Sequence, residues 1–241
     1  PEFAEDIFRS LEALGIDYQE GPDSFADLEK RWAQRHRLAL YQEQLQILKE
    51  KGHLFACSCS RKQIAAVSPD GVYPATCFGK NIPFDNSKTA WRWSRNHGEA
   101  RIKAWHQADQ GAELPALMHY QVLKSKDGYP AYQLSSLVDD VHFGITHIVR
   151  GADLWDSTLC QSLLAEDLGL THFTQISFHH HKLVQQQGQK LSKSKKAPAA
   201  EVYRQPKAIK SLCGDIAAYL NFPSRAENLS QLWSDWQTFK S

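Results

Sequence analysis

The sequence of 241 residues has no excess of charge, no apolar run of membrane length and few cysteines. Lysine and arginine number 28 against 27 aspartates and glutamates, so any nucleic-acid binding must come from local patches. No run approaches the ~20 apolar residues of a membrane span, and no secretory signal opens the chain. Five cysteines, three of them close together, suit a reducing compartment better than a disulfide framework. We therefore expect a cytoplasmic protein without a membrane partner.

The chain also lacks an internal repeat, and its character changes along its length. Apolar residues recur at helical spacing near the start, and a second, long helix is predicted from about Phe25 to Glu50. Cysteine, proline, glycine and tryptophan then replace this periodicity. We predict four segments: a helical part (1–52), a small insertion (53–120), a strand and helix part ending in a basic loop (121–198), and a helical C-terminal extension (199–241).

Alternating and β-branched runs predict the strands. Ile145–Gly151 is predicted as a buried parallel strand, and Ser157–Leu168 as a helix with Ser157 as its N-cap and Gly169 after its end. Three further strands are predicted at Ala100–Trp105, Met118–Lys124 and Gln175–Leu183, and a helix is predicted to begin within the mixed segment Pro130–Val138. This order indicates an α/β fold with a largely parallel sheet.

The most informative loop is Lys190-Leu191-Ser192-Lys193-Ser194. Small hydroxyl residues between lysines make a flexible cationic loop that can close over a triphosphate and neutralise charge on a leaving pyrophosphate. A lysine-rich loop that is only a solvated or nucleic-acid-facing surface is the alternative.

Arg150, at the end of a predicted parallel strand, is placed to bind an anion, because ligands of open α/β sheets sit beyond the carboxyl ends of strands. Its guanidinium could grip a carboxylate in bidentate fashion. A structural ion pair with Asp153 is the alternative.

Three close thiols, those of Cys57, Cys59 and Cys77, suit zinc. A fourth ligand is needed, and no histidine lies between Cys59 and Cys77. Buried free cysteines or a redox pair are the alternatives. The run His179–His181 could bind a metal or contact a nucleotide, but its place on a predicted strand favours a structural role. Packing is likewise favoured over base stacking for Trp91, Trp93 and Trp105.

These motifs resemble those of the class I glutamyl/glutaminyl-tRNA synthetase family. The basic loop resembles the family's KMSKS motif, and the segments 127–132 and 144–154 match the family in order. The resemblance implies a Rossmann-like catalytic domain that activates glutamate with ATP and transfers it to tRNA. It implies that Tyr132 and Arg150 bind glutamate, and that Lys190, Ser192 and Lys193 bind ATP, with Mg²⁺. Lys193, supported by Lys190, would stabilise the pyrophosphate in the transition state.

Within that family, the cysteine pattern resembles the zinc insertion of the glutamyl-Q-tRNA(Asp) type. The resemblance implies that Tyr73, four residues before Cys77, completes a structural Zn²⁺ site with the three cysteines. The short C-terminal extension also suits this type, whose partner is tRNA(Asp) and whose target is the queuosine base.

One family motif is missing, because nothing like the N-terminal HIGH sequence of class I enzymes occurs here. We expect the catalytic domain to be incomplete at its N-terminus and an upstream segment to supply that motif. The alternative hypotheses are a non-catalytic tRNA-binding paralogue that has lost the ATP site, and a different class I nucleotidyl-transfer enzyme. The oligomeric state stays open.

Overall fold

The computed structural model describes residues 2–85, 88–105, 107–183, 185–186, 189–190 and 205–240. The chain divides into two units, one formed by Gln34–Leu183 and the other by Pro1–Ala33 together with Val184–Ser241. The α-helices are α1 (Glu2–Leu14), α2 (Phe25–Asp27), α3 (Leu38–Glu50), α4 (Arg61–Val67), α5 (Tyr132–His142), α6 (Trp155–Leu168), α7 (Thr171–Thr174), α8 (Pro206–Tyr219) and α9 (Leu229–Lys240). Among the helices that the structure describes, none has both the length and the apolar character needed to span a bilayer.

Nine short strands form four small sheets in the described chain. The strands are β1 (Leu54–Cys57), β2 (Ala90–Trp93), β3 (Glu99–Ile102), β4 (Gln110–Glu113), β5 (Val122–Lys124), β6 (His147–Gly151), β7 (Ser177–His181), β8 (Gln185–Gln186) and β9 (Gln189–Lys190). Strands β1, β2 and β5 form an antiparallel sheet, and β3 pairs with β4. Strands β6 and β7 run parallel with Arg150 opposite His180, as expected for a βαβ crossover through α6.

Helix α6 lies at the centre of the 34–183 unit. Ten of its fourteen residues are buried, so it has no single apolar stripe and packs on several sides. Leu159, Leu163 and Leu164 enter the main hydrophobic core with residues of α3, α5 and the strands. The helix ends at Gly169, whose φ of 78° is the left-handed C-cap conformation that the sequence predicted.

The other unit contains the two C-terminal helices that the sequence predicted as a helical extension. Helices α8 and α9 share a small core. Its buried members are Cys213, Ala217, Phe222, Ala226 and Leu232. Helix α1 also belongs to this unit, and Gly15 follows its last residue with a φ of 63°.

The predicted single helix over residues 25–50 is wrong. Helix α2 passes into a π-helical turn at Leu28–Trp32, Ala33 is extended, and a 3-10 turn at Gln34–Arg37 precedes α3. Side chains on both sides of the break stabilise it. Before it, Asp27 accepts a hydrogen bond from the indole of Trp32 (3.1 Å), and after it, Gln34 donates to Asp139 (2.8 Å). These contacts satisfy polar groups that a continuous helix would place elsewhere.

Several predicted strand and helix details also differ. Strand β6 is parallel as predicted but not buried: only Arg150 is buried, and Val149 is 58% exposed, because β6 pairs with β7 alone in the described sheet. Ser157 is not an N-cap, since α6 already begins at Trp155 and Ser157 is buried against Gln133. The strands predicted at 100–105 and 118–124 are shorter, and a 3-10 turn occupies Ala116–Met118.

Candidate functional site

Arg150 is a buried cation held by two neutral side chains of α6. Its Nη1 donates to Oε1 of Gln161 (3.0 Å) and its Nη2 to Oγ1 of Thr158 (2.5 Å). Its Nε is buried without a hydrogen-bond partner among the residues that the structure describes. The guanidinium therefore retains both charge and an unused donor, and a bound anion would satisfy both.

Tyr132 and Asp140 lie near Arg150 at the two ends of α5. Burial lowers the pKa of Arg150, while the phenol of Tyr132 and the carboxylate of Asp140 act to raise it. Burial also raises the pKa of Asp140 to about 6, although the charge of Arg150 opposes this change. The side chain of Tyr132 is half exposed. The structure thus brings together the two residues, Tyr132 and Arg150, that were predicted to bind glutamate.

His180 completes this polar group from β7. Its Nε2 lies 2.7 Å from Oγ1 of Thr158, whose hydroxyl proton is donated to the carbonyl of Leu154. Burial and the charge of Arg150 lower the pKa of His180 to about 4, so it is neutral at pH 7.

The sequence predictions missed Thr158, Gln161 and the particular role of His180. The available signal was the presence of Thr158 and Gln161 one helical turn apart in a segment otherwise rich in leucine. The three consecutive histidines do not form a metal cluster, because the cysteines are the only group of potential metal ligands found in the described residues.

The predicted ATP-binding loop lies largely outside the described residues. Lys190 is described only as backbone, at the end of the β8–β9 pair where it is opposite Gln185. Ser192 and Lys193 fall in the part of the chain that is not described. Their roles remain predictions.

The three cysteines of the insertion form one compact group. Their Sγ atoms lie within 4.8 Å of one another, although Cys57 ends β1 and Cys77 lies in the loop that follows α4. Cys59 and Cys77 are 3.4 Å apart, and Oη of Tyr73 lies 3.3 Å from Sγ of Cys57. All three thiols are free.

This group has the donors and spacing of a closed metal site. Four ligands around zinc at ~2.3 Å, in tetrahedral geometry, place sulfurs about 3.7 Å apart. Burial acts against ionisation of Cys77, yet hydrogen bonds from the Ser58 backbone, Tyr73 and Cys59 lower its pKa to about 6. Burial raises the pKa of Cys59 to about 11, so without a metal the Cys77 thiol ionises much more readily than that of Cys59. The residues present fit a structural zinc ion.

Of the three tryptophans, Trp93 follows the packing interpretation. Trp93 is fully buried in the main core and donates from its indole to Asp167 (2.8 Å). Trp91 is half-buried under the ammonium groups of Lys49 and Lys124. Trp105 remains 39% exposed and contacts the ring of His147 edge-on.

A family model and individual relatives both match this chain and point to one family. Residues 100–210 match the family model for the catalytic domain of class I tRNA synthetases (E and Q). A glutamyl-Q tRNA(Asp) synthetase from Chromobacterium violaceum is 34% identical, over 97% of this chain and 75% of its own length. The corresponding protein of Acinetobacter baylyi is 34% identical, over 85% of this chain and 68% of its own length.

Structural comparison finds the fold in a longer protein. The glutamate-tRNA synthetase of Elizabethkingia anophelis shares 18% identity with a TM-score of 0.58, over 78% of this chain and 42% of its own. A glutamate tRNA ligase from Elizabethkingia meningosepticum, solved in complex with its amino acid, gives a TM-score of 0.57 at 19% identity. At this identity the likeness establishes a shared fold. The chain spans less than half of these solved proteins and about two thirds to three quarters of the two curated relatives.

Proposed function

Because the chain belongs to the glutamyl- and glutaminyl-type family of class I aminoacyl-tRNA ligases, we propose that it serves ATP-dependent attachment of glutamate to a tRNA. In the first step a carboxylate oxygen of glutamate attacks the α-phosphorus of ATP. The bond to pyrophosphate breaks and glutamyl-adenylate forms. A hydroxyl group of the tRNA then attacks the glutamyl carbonyl, loses its proton and releases AMP.

The observation that carries this proposal is the buried charge of Arg150. Its hydrogen-bond partners Thr158 and Gln161 are both neutral, and its Nε is unused. A buried charge without a hydrogen-bonded counterion is costly, so the site favours an anionic ligand such as a carboxylate. Tyr132, whose interaction favours the charged form of Arg150, would contact the same ligand. Positioning and electrostatics would then supply the rate without a covalent nucleophile.

ATP would be bound by Lys190, Ser192 and Lys193, with Mg²⁺ on its phosphates. Lys193 would stabilise the charge that accumulates on the leaving pyrophosphate, and Lys190 would support it. Family membership supports this assignment, and glutamate-dependent ATP–pyrophosphate exchange tests it.

We propose that the acceptor is the queuosine base of tRNA(Asp) and that the reaction takes place in the cytoplasm. The support for the acceptor is the name shared by the two curated relatives, glutamyl-Q tRNA(Asp) synthetase, and the support for the location is membership of the tRNA synthetase family. Transfer of labelled glutamate to tRNA(Asp) with and without queuosine tests the acceptor. Equal transfer to both, or transfer to tRNA(Glu) alone, would refute it.

We propose that Cys57, Cys59, Tyr73 and Cys77 hold a structural zinc ion. The support is the spacing of the three sulfurs and the 3.3 Å approach of the Tyr73 hydroxyl. After dialysis against a weak chelator, metal analysis should find about one zinc ion per chain. Cys77→Ser should abolish it, whereas Cys213→Ser, which changes a buried cysteine of the other unit, should retain it.

The exchange experiment uses the full-length natural protein. Arg150→Gln should raise KM for glutamate about 30-fold or more, since a charged hydrogen bond is worth about 2 kcal/mol or more, and should leave KM for ATP nearly unchanged. The matched control is Arg101→Gln, an equal loss of charge at an exposed position of β3. Equal effects of the two changes would refute the role of Arg150. No exchange at all, with tRNA present, would favour the non-catalytic paralogue.

A further inference from the structure

A cationic pocket lies beside the three-cysteine cluster, apart from Arg150. It measures about 260 Å³ and is lined by residues of α4, β2 and the segment before β5. Its lining includes the charged or polar residues Arg61, Tyr73, Arg92, His119 and Gln121, together with the apolar Leu117. This volume is just below the ~300–1,000 Å³ of ordinary small-molecule pockets, so it suits one small group of a larger ligand.

Arg92 is held rigidly in this pocket. Its guanidinium carbon lies 3.8 Å from the centre of the Tyr73 ring, and its Nη1 donates to the carbonyl of Tyr120 (2.8 Å). Its Nε is buried and has no hydrogen-bond partner within the described part of the chain. A guanidinium held in this way loses little conformational entropy when it binds a ligand, and it keeps donors for an anion.

The charge of the pocket is of one sign. Arg61 and Arg92 line it and no carboxylate does. Asp70, the acidic residue next to the lining residue Gly71, is engaged with the Ser68 hydroxyl and the Val72 amide. The pocket therefore favours an anion over a metal cation.

Apolar surface accompanies this charge. Leu117 is 52% exposed at the edge of the pocket, and Tyr73 and His119 contribute rings. Phosphate, with a sugar or base beside it, is the ligand that combines an anion with a flat, partly apolar neighbour. We propose that this pocket binds a phosphodiester of the RNA substrate through Arg61 and Arg92. The proposal rests on the proposed function, because it assigns the pocket to the tRNA.

The test measures the affinity of a tRNA(Asp) transcript by fluorescence anisotropy over a series of salt concentrations. Arg61→Gln should weaken binding about 5- to 10-fold near 100 mM salt and reduce the slope of log K against log salt by about one, as loss of one phosphate contact does. The matched control is Lys62→Gln, an equal charge loss at the next, exposed residue of α4, which does not line the pocket. It should change affinity less than about twofold.

Equal losses of RNA affinity in the two variants would show that binding depends on the overall positive charge of this surface and not on the pocket, which would overturn the proposal. An unchanged affinity of Arg61→Gln would also overturn it. The latter result would also be expected if the pocket served an acidic protein instead. Arg92→Lys provides a second variant: it keeps the charge but loses the planar donor fork, so it should weaken RNA binding at unchanged zinc content.

Failure of the proposed function is detected separately. Glutamate-dependent exchange by the full-length wild-type protein reports on that function alone. If exchange occurs and Arg61→Gln binds RNA normally, only the pocket proposal fails. If exchange is absent and Arg61→Gln still loses affinity selectively, the pocket binds RNA in a protein without the proposed activity.

Discussion

Two adjacent aspartates at the end of α5 should respond to the same substitution with opposite changes in stability. The carboxylate of Asp139 accepts hydrogen bonds from Gln34 (2.8 Å), Tyr41 (2.6 Å) and both Nε and Nη2 of Arg37 (2.8 and 3.1 Å). Asp140 is partly buried and has no hydrogen bond to its side chain within the described residues. Asparagine therefore removes a stabilising charge at one position and a destabilising charge at the next.

The magnitudes follow from burial. The side chains of Arg37 and Asp139 are only 10% and 16% exposed, so Asp139→Asn leaves a mostly buried cation without its counterion and should cost about 3 kcal/mol. For Asp140, a pKa raised from 3.8 to about 6 sets an upper limit of about 3 kcal/mol, at ~1.4 kcal/mol per unit. Because part of this carboxylate faces solvent, we expect Asp140→Asn to stabilise the protein by about 1 kcal/mol at pH 7.

The pH dependence distinguishes the two effects. Burial opposes the ionisation of Asp139, but its bonds to Arg37, Tyr41 and Gln34 outweigh burial and lower its pKa. Its contribution is therefore present above the unfolded pKa of about 3.9 and is lost as pH falls through the lower folded value. Asp140 has a folded pKa of about 6, so its penalty is full above pH 6 and vanishes near pH 4.

Urea unfolding at pH 7 and pH 5, followed by tryptophan fluorescence, measures both changes. Trp93 is buried in the same unit and reports on its unfolding. At pH 5 the loss in Asp139→Asn should persist, while the gain in Asp140→Asn should diminish. Midpoints that shift in the same direction for both variants, or a loss below about 1 kcal/mol for Asp139→Asn, would refute the reasoning.

Three further predictions concern other parts of the molecule. Treatment with EDTA should lower Tm by about 5 °C or more, and zinc should restore it, because an ion bound by the three cysteines would join β1 to the loop containing Cys77; a Tm insensitive to EDTA would contradict a structural ion. Gly169→Ala should cost about 1 kcal/mol in urea unfolding, since the φ is 78° but a Cβ would meet nothing within 4 Å; a loss above about 3 kcal/mol would show an unseen clash. Trp93→Phe should cost about 2–3 kcal/mol, because it leaves a void and removes the bond to Asp167; a neutral result would show that the core closes around the smaller ring.

Local signals were enough to predict the elements whose ends are marked in the sequence. Helix α6 ends before Gly169, where glycine adopts the predicted left-handed conformation, and the helical spacing near the start predicted the helix now seen as α1. The spacing of Cys57, Cys59 and Cys77 likewise predicted a group of thiols that the structure brings together. The family resemblance is confirmed by the comparisons.

Contacts between distant residues account for what the sequence did not predict. The break before α3 is stabilised through Asp139, about one hundred residues away, and helical periodicity contains no trace of that partner. The partners of Arg150 were missed for a similar reason. Thr158 and Gln161 lie in a helix buried on several sides, where polar residues give no amphipathic pattern.

Helix α6 makes mechanical connections at both ends. Near its start, Thr158 and Gln161 hold Arg150; near its end, Asp167 accepts from the indole of Trp93 on β2, and its carbonyl accepts from Lys51. At 1.5 Å per residue, its fourteen residues make a strut about 21 Å long. A packed helix transmits displacement along its axis with little compression. One buried helix therefore connects Arg150 at one end with Trp93 of β2 and Lys51 at the other, so both sets of contacts depend on the same fourteen residues.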